Sequence, residues 1–186
     1  MTHVTGLLLA AGAGRRFRRP KALVPGWVGH AVHTLYGGGC DRVVVVLGAD
    51  SDAARLNVPQ AASVVVNENW ECGLSASLVT GLRTLSGTDA AAIHLVDLPD
   101  VGPSVVARVI SGATPDALAR AVYHGRPGHP VLIGSAHWSR VLTTATGDSG
   151  AHAYLSTRHV DQIECSDLAD GNDIDYDPSD PRPAAG

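Results

Sequence analysis

The sequence predicts an α/β fold of three layers, a mainly parallel sheet flanked by helices with a β-hairpin inserted beside it. Two observations predict it. Short runs of Val, Leu and Ile at Gly6–Ala10, Arg42–Leu47, Ser63–Val66 and Ala91–Val96 are continuously apolar rather than alternating, as strands covered on both faces are. Between them lie stretches with helical spacing, and strand–helix alternation of this kind builds a parallel sheet.

The helices follow from spacing and punctuation. Leu74, Leu78, Leu82 and Leu85 recur at intervals of four, four and three, one face of a helix. Val28–Tyr36 predicts a second helix, closed by Gly37, Gly38 or Gly39 in the left-handed conformation that ends helices. Pro103 stands where a first helical residue belongs and leads into Val105–Ile110. After residue 117 the pattern changes. Leu118–Tyr123 and Val131–Ile133 predict two strands joined by a loop over His124–Pro130, the expected hairpin. From Asp161 to Asp180 there are eight acidic residues and no Lys or Arg, and Pro178–Gly186 is Pro/Ala-rich. Residues 1–178 are expected to form a single domain and 179–186 a flexible tail.

Composition narrows the function classes. A chain of 186 residues with 45% hydrophobic and 17% charged residues buries a real core and is not disordered. A net charge of −4 argues against a nucleic-acid binder. Cys40, Cys72 and Cys165 form no C-x-x-C pair and describe neither a disulfide framework nor a zinc site. The apolar run Val4–Ala13 is followed, not preceded, by positive charge, the reverse of a signal peptide. No apolar stretch approaches the ~20 residues that span a bilayer. The expectation is a cytoplasmic domain with no nucleic-acid or membrane partner.

Charge is concentrated in one place. Five of the fourteen basic residues, Arg15, Arg16, Arg18, Arg19 and Lys21, fall within seven positions, and Lys21 is the only lysine. They follow a strand and the turn Ala11-Gly12-Ala13-Gly14. A glycine-rich turn leaving a parallel strand exposes backbone N–H groups to anions, and the cations behind it suit phosphate. Two common phosphate loops are excluded. Phe17 stands where the dinucleotide fingerprint G-x-G-x-x-G needs its last glycine, and no G-x-x-x-x-G-K-[ST] occurs.

The stretch Leu9-Ala10-Ala11-Gly12-Ala13-Gly14-Arg15-Arg16-Phe17, then Pro20-Lys21-Ala22-Leu23, resembles the signature of nucleotidyltransferases of GT-A-like, Rossmann-like fold. Within them the likeness is to molybdenum cofactor cytidylyltransferases. It is carried by Asn67–Leu82, Leu95-Val96-Asp97-Leu98-Pro99, Gly125–Val131, Gly147–Ala151 and Asp173-Ile174-Asp175, in family order. The resemblance implies transfer of CMP from CTP to the phosphate of a molybdopterin-type acceptor, with release of pyrophosphate and Mg²⁺ as cofactor. It implies a nucleotide site built from Leu9, Ala10, Ala11, Gly12, Gly14, Arg15, Arg16, Lys21, Gly73, Ser75 and Ser77. Of these, Arg15 and Lys21 act in catalysis together with Asp97. Asp97 and Asp175 hold the metal, and two carboxylates plus phosphate oxygens suffice for Mg²⁺. Arg126, His129 and Asp148 are the acceptor residues implied, and a molybdoenzyme is a further partner. A non-catalytic binding or insertion factor of the same fold and a sugar-phosphate nucleotidyltransferase are the alternatives.

The chain departs from the family pattern twice. Arg18 replaces a glycine, so a left-handed backbone there is costly and a different loop path is expected. Only Val24-Pro25-Gly26-Trp27 follows Leu23, a shorter segment than the family has before its next helix, and it bears on the acceptor half of the site.

Overall fold

The computed structural model describes residues 2–176. The expected tail, residues 179–186, lies outside them. In chain order the strands are β1 (Val4–Ala10), β2 (Arg42–Leu47), β3 (Ser63–Val66), β4 (Ala90–Leu95), β5 (Leu118–Tyr123), β6 (Arg126–Gly134) and β7 (Asp161–Glu164). The helices are α1 (Trp27–Gly37), α2 (Ser51–Arg55), α3 (Leu74–Thr84), α4 (Pro103–Ile110), α5 (Trp138–Thr144) and α6 (His152–Leu155). They build one mixed sheet of order β3-β2-β1-β4-β6-β5-β7. Only β6 runs against its neighbours. No helix among the described residues is long and apolar enough to cross a membrane.

Strand alternation sorts the core into two layers. From β1, Val4, Leu8 and Ala10 join Val28, Val32 and Leu35 of α1 and Val105, Val106 and Val109 of α4. Leu7 and Leu9 point the other way, onto Leu78 and Leu82 of α3, with Val141 of α5 and Leu155 of α6. All seven residues of β1 are buried, which is why its sequence is an unbroken apolar run. Pro103 opens α4 as expected, and α1 ends on the glycine run.

The hairpin differs from its expected form. The turn is His124-Gly125 alone, with φ 51° and 75°, and Tyr123 pairs directly with Arg126. β6 therefore runs through Pro127 and Pro130, and it lies within the sheet between β4 and β5 rather than beside it. Proline lacks the N–H a ladder uses, so two prolines read as loop. Here the β5–β6 register shifts between Arg120 and Val122; Pro130 falls within the shifted stretch and Pro127, paired with Val122, stands at its border. The acidic stretch after residue 160 also folds: Asp161–Glu164 pairs in parallel with β5 as an edge strand.

The parallel strands β1, β2 and β4 all point their carboxyl ends to the same edge of the sheet. Strand order reverses direction between β1 and β4, and a crevice opens at such a point in α/β sheets. The loop after β1 and the turn after β4 meet there.

Candidate functional site

The loop after β1 is held open by its backbone. Gly14 has φ 60°, and a Cβ there would collide with the Arg19 carbonyl, so the turn excludes any side chain. Phe17 anchors the loop from below. It is 2% exposed and its ring meets Trp27 at a centroid distance of 5.4 Å. Arg18 takes φ 66°, so the loop keeps the left-handed conformation although the residue is not glycine, and the different path expected there is not taken. The short segment that follows is a run of backbone-bonded turns. Val24 N–H donates to Lys21 O and Trp27 N–H to Val24 O, which leads straight into α1.

Lys21 reaches across this loop to two carboxylates. Its Nζ donates to Asp97 Oδ2 at 2.6 Å and lies 3.5 Å from Asp175 Oδ1. Asp175 Oδ2 accepts from Arg16 at 2.6 Å. Lys21 and Asp97 are each 15% exposed, so this pair is well shielded from water. The remaining oxygen, Asp97 Oδ1, is buried with no hydrogen-bond partner among the described residues. Asp175 arrives on a strap that crosses the carboxyl edge of the sheet. Asp100 Oδ2 accepts from the N–H groups of Asp170 and Gly171 at 2.9 Å each, and Ile174 N–H donates to Asp97 O at 3.0 Å.

These groups border a cavity of about 360 Å³. Of the residues named from the sequence, Leu9, Ala10, Ala11, Gly12, Gly14, Arg15, Lys21, Gly73, Ser77, Asp97 and Asp148 line it. Arg16 and Asp175, joined by their ion pair, are not among its lining residues, and Asp175 is tied to the site through Lys21. Ser75 is buried and donates to Gly150 O, while Ser77 accepts from Asn67 Nδ2 at 3.1 Å. Asp148 accepts from Leu74 N–H at 3.4 Å, so it meets the start of α3 on the side of this cavity. Gly73, with φ 96°, is closed in by Asp148 and Gly147. Trp70 and Glu71 also line the cavity, and sequence reasoning did not include them among the site residues. Trp70 stood within the stretch that carried the resemblance. Glu71 stands in the same stretch, but as one acid on a 3-10 turn nothing in its local pattern set it apart.

A second cavity of about 200 Å³ adjoins the first, sharing Leu9 and Leu74 with it. His129 lines this one, and Arg126 lines neither, standing exposed at the hairpin tip. Burial pulls the His129 imidazole down to about 4, against the pull of Asp97 and Asp173. His94, fully buried on β4, is lowered to about 3 by burial and by His129 and His30, and neither ring nitrogen has a partner among the described residues.

Comparison with known proteins places this geometry. The profile of the MobA-like NTP transferase domain matches residues 6–163. A curated relative, the nicotine blue oxidoreductase of Paenarthrobacter nicotinovorans, is 37% identical over 188 aligned positions, which cover 92% of each chain. Rv0371c of Mycobacterium tuberculosis H37Rv superposes with a TM-score of 0.81 at 27% identity, covering 94% of this chain and 93% of that one. A complex of Rv0371c with manganese superposes at 0.73 with 24% identity over 88% of both chains. A nucleotidyl transferase from Methanothermobacter thermautotroptrophicus, Mth528, shares the fold, with a TM-score of 0.81, 22% identity and coverage of 95% and 93%. With the domain match over residues 6–163 and a 37% identical relative aligned over 92% of each chain, the chain belongs to the MobA-like NTP transferase family.

Proposed function

We infer that the chain is a metal-dependent nucleotidyltransferase that takes a nucleoside triphosphate, CTP first among them, and moves its monophosphate to a phosphate-bearing acceptor. The observation that carries this reading is the junction of Lys21 with Asp97 and Asp175 beneath the glycine loop, with one Asp97 oxygen buried and free. The loop N–H groups and Arg15 cradle the triphosphate. Lys21 turns from Asp97 to a phosphate oxygen when the nucleotide enters.

The same residues fit a divalent ion. Asp97 Oδ1 is a hard, buried, unsatisfied oxygen, and Asp175 stands across Lys21 from it. Among the described residues no cluster of three ligating side chains exists, which suits Mg²⁺, an ion that takes one or two carboxylates and completes its shell with phosphate and water. When bound, it neutralises phosphate charge. The relative solved with manganese supports a divalent ion in this fold.

An oxygen of the acceptor phosphate attacks the α-phosphorus, the bond to the β-phosphate oxygen breaks, and pyrophosphate leaves. The chain supplies positioning and positive charge rather than a covalent nucleophile. The resemblance names a molybdopterin-type cofactor as acceptor and a molybdoenzyme as downstream partner.

A second reading is favoured by the curated relative, whose name is that of an oxidoreductase. In it the first cavity holds a nucleotide that donates hydride, and the molecule in the second cavity is reduced with a proton from solvent. Phe17 in place of the fingerprint glycine weighs against a standard dinucleotide loop.

A thermal-shift panel of CTP, GTP, ATP, UTP and NADPH, each with and without Mg²⁺, separates these. A ligand at a hundred times its Kd stabilises the fold by about 2.7 kcal/mol. A Mg²⁺-dependent shift led by CTP is expected. A shift led by NADPH and indifferent to Mg²⁺ overturns nucleotidyl transfer in favour of the redox reading, and no shift with any nucleotide overturns both.

A further inference from the structure

The second cavity has a floor that crosses the sheet. Leu9 of β1, Ile93 of β4, Val131 of β6 and Arg120 of β5 line it, one from each of four adjacent strands. Leu78 of α3 and Leu155 of α6 also line it, from the helical layer above. At the β1 end it adjoins the first cavity, with Leu9 and Leu74 lining both. At the β5 end stands Arg120, whose Nε donates to Gln162 at 2.9 Å. Ile93, Val131 and Arg120 are in register, and Leu9 lies two residues further along β1; three spacings of about 4.8 Å with that offset set Arg120 roughly 16 Å from Leu9.

The chemistry of the lining is uneven along this length. The strand floor, Leu9, Ile93 and Val131, is aliphatic, while Ser149 and His152 add polar side chains to the wall. His129, lowered to about 4, is a neutral ring at neutral pH, and no carboxylate lines the cavity. Arg120 places a full positive charge at the far end. Polar groups of a ligand that lie over this floor would face Leu9, Ile93 and Val131, at a cost of about 1–3 kcal/mol for each left unmatched. A flat hydrocarbon body loses nothing and gains burial.

We propose that the second cavity binds a small molecule with a flat, apolar aromatic body, its reacting end toward the first cavity and an anionic group held by Arg120 at the other end. This rests on the reading that the first cavity holds the nucleotide, and it replaces a pterin as the chemical class of the partner substrate. In nucleotidyl transfer the reacting end is a phosphate. Its oxygen bonds to the α-phosphorus as pyrophosphate departs.

The test uses 6-phosphonooxy-2-naphthoate and, without the carboxylate, 2-naphthyl phosphate, followed by naphthalene fluorescence anisotropy against the full chain. Arg120→Gln is expected to weaken the naphthoate at least tenfold, the loss of one charge-assisted contact, and to leave 2-naphthyl phosphate unchanged. Ala151→Trp, which fills the cavity from its wall, is expected to abolish binding of both. If that variant does not fold, Ser149→Trp at the rim serves the same purpose. The nucleotide thermal shift is expected to survive in every folded variant. Failure of both probes to bind while the nucleotide shift is intact overturns the proposal, as does equal weakening of both probes by Arg120→Gln. Probe binding with this pattern and no shift from any nucleotide overturns the first-cavity reading alone and supports the second cavity as an aromatic anion site.

Discussion

Lys21 Nζ and Asp97 Oδ2 lie 2.6 Å apart, joining residues 76 positions apart in the chain. The contact binds the loop after β1 to the turn after β4. It also places the chain's only lysine against the carboxylate proposed to hold the metal.

That contact sets opposite expectations for its two partners. Asp97→Ala removes charge stabilisation at the phosphates and is expected to lower nucleotidyl turnover by on the order of 10²–10³. Lys21→Ala is expected to weaken CTP binding more than CMP binding, because a point charge beside the distal phosphates has less to act on in the monophosphate. Calorimetric titration of both nucleotides checks this. Equal losses move Lys21 away from the distal phosphates, and wild-type turnover of Asp97→Ala at saturating Mg²⁺ removes the metal role.

Arg18 keeps a left-handed backbone at φ 66°. Arg18→Gly and Arg18→Val both delete the guanidinium, so comparing them isolates the backbone. Glycine adopts this conformation freely, whereas a β-branched residue is strained in it. The glycine variant is expected to be more stable than the valine variant by roughly 1–2 kcal/mol in urea unfolding. Equal stability of the two means that the loop relaxes to another path.

Legibility from sequence tracked how much of each element's reason was side-chain pattern. β1 and β2 were plain because strands buried on both faces must be apolar throughout. β7 was not, since Asp161-Gln162-Ile163-Glu164 is an edge strand with one apolar residue and is held by backbone pairing to β5. The hairpin was read too loosely because Pro127 and Pro130 look like loop until the irregular ladder that tolerates them is seen. Within the site, Gly14, Lys21 and Asp97 stood out through a motif. The burial of Ser75 against Gly150, the partnerless Asp97 Oδ1 and the wall formed by Trp70 and Glu71 depend on contacts between distant segments, which no local pattern encodes.

His94 makes the fold sensitive to acid. It is fully buried, and its imidazole is lowered to about 3 from an ordinary 6.5. The unfolded chain therefore takes up the proton first. Stability is full above pH 6.5 and falls as pH drops toward 3, by roughly 1 kcal/mol per pH unit for this group. His129, lowered to about 4, acts in the same direction. On β4, His94 shares a face with Ala92 and Val96 of the core layer under α1 and α4. His94→Leu replaces two unsatisfied nitrogens with hydrocarbon of similar size. It is expected to raise Tm at pH 7.5 and to flatten the fall between pH 6.5 and 4. An unchanged acid limb would show that other groups carry it.

The strap that delivers Asp175 hangs on Asp100, whose Oδ2 accepts from two successive backbone N–H groups, those of Asp170 and Gly171. Asp100 holds the strap and does not line the first cavity, so its effect on metal binding is expected to pass through the position of Asp175. Asp100→Ala frees both N–H groups to water and loosens the strap. Its expected result is a several-fold loss of Mn²⁺ affinity in the presence of CTP, read from the free-ion EPR signal, with the nucleotide still bound. Asp175→Asn removes the carboxylate itself and is expected to cost more. In the double variant the Asp100 effect should vanish, because a strap without its carboxylate has no ligand to misplace. If Asp100→Ala lowers Mn²⁺ affinity equally with and without the Asp175 carboxylate, Asp100 acts on the metal by its own charge and the strap is not the link.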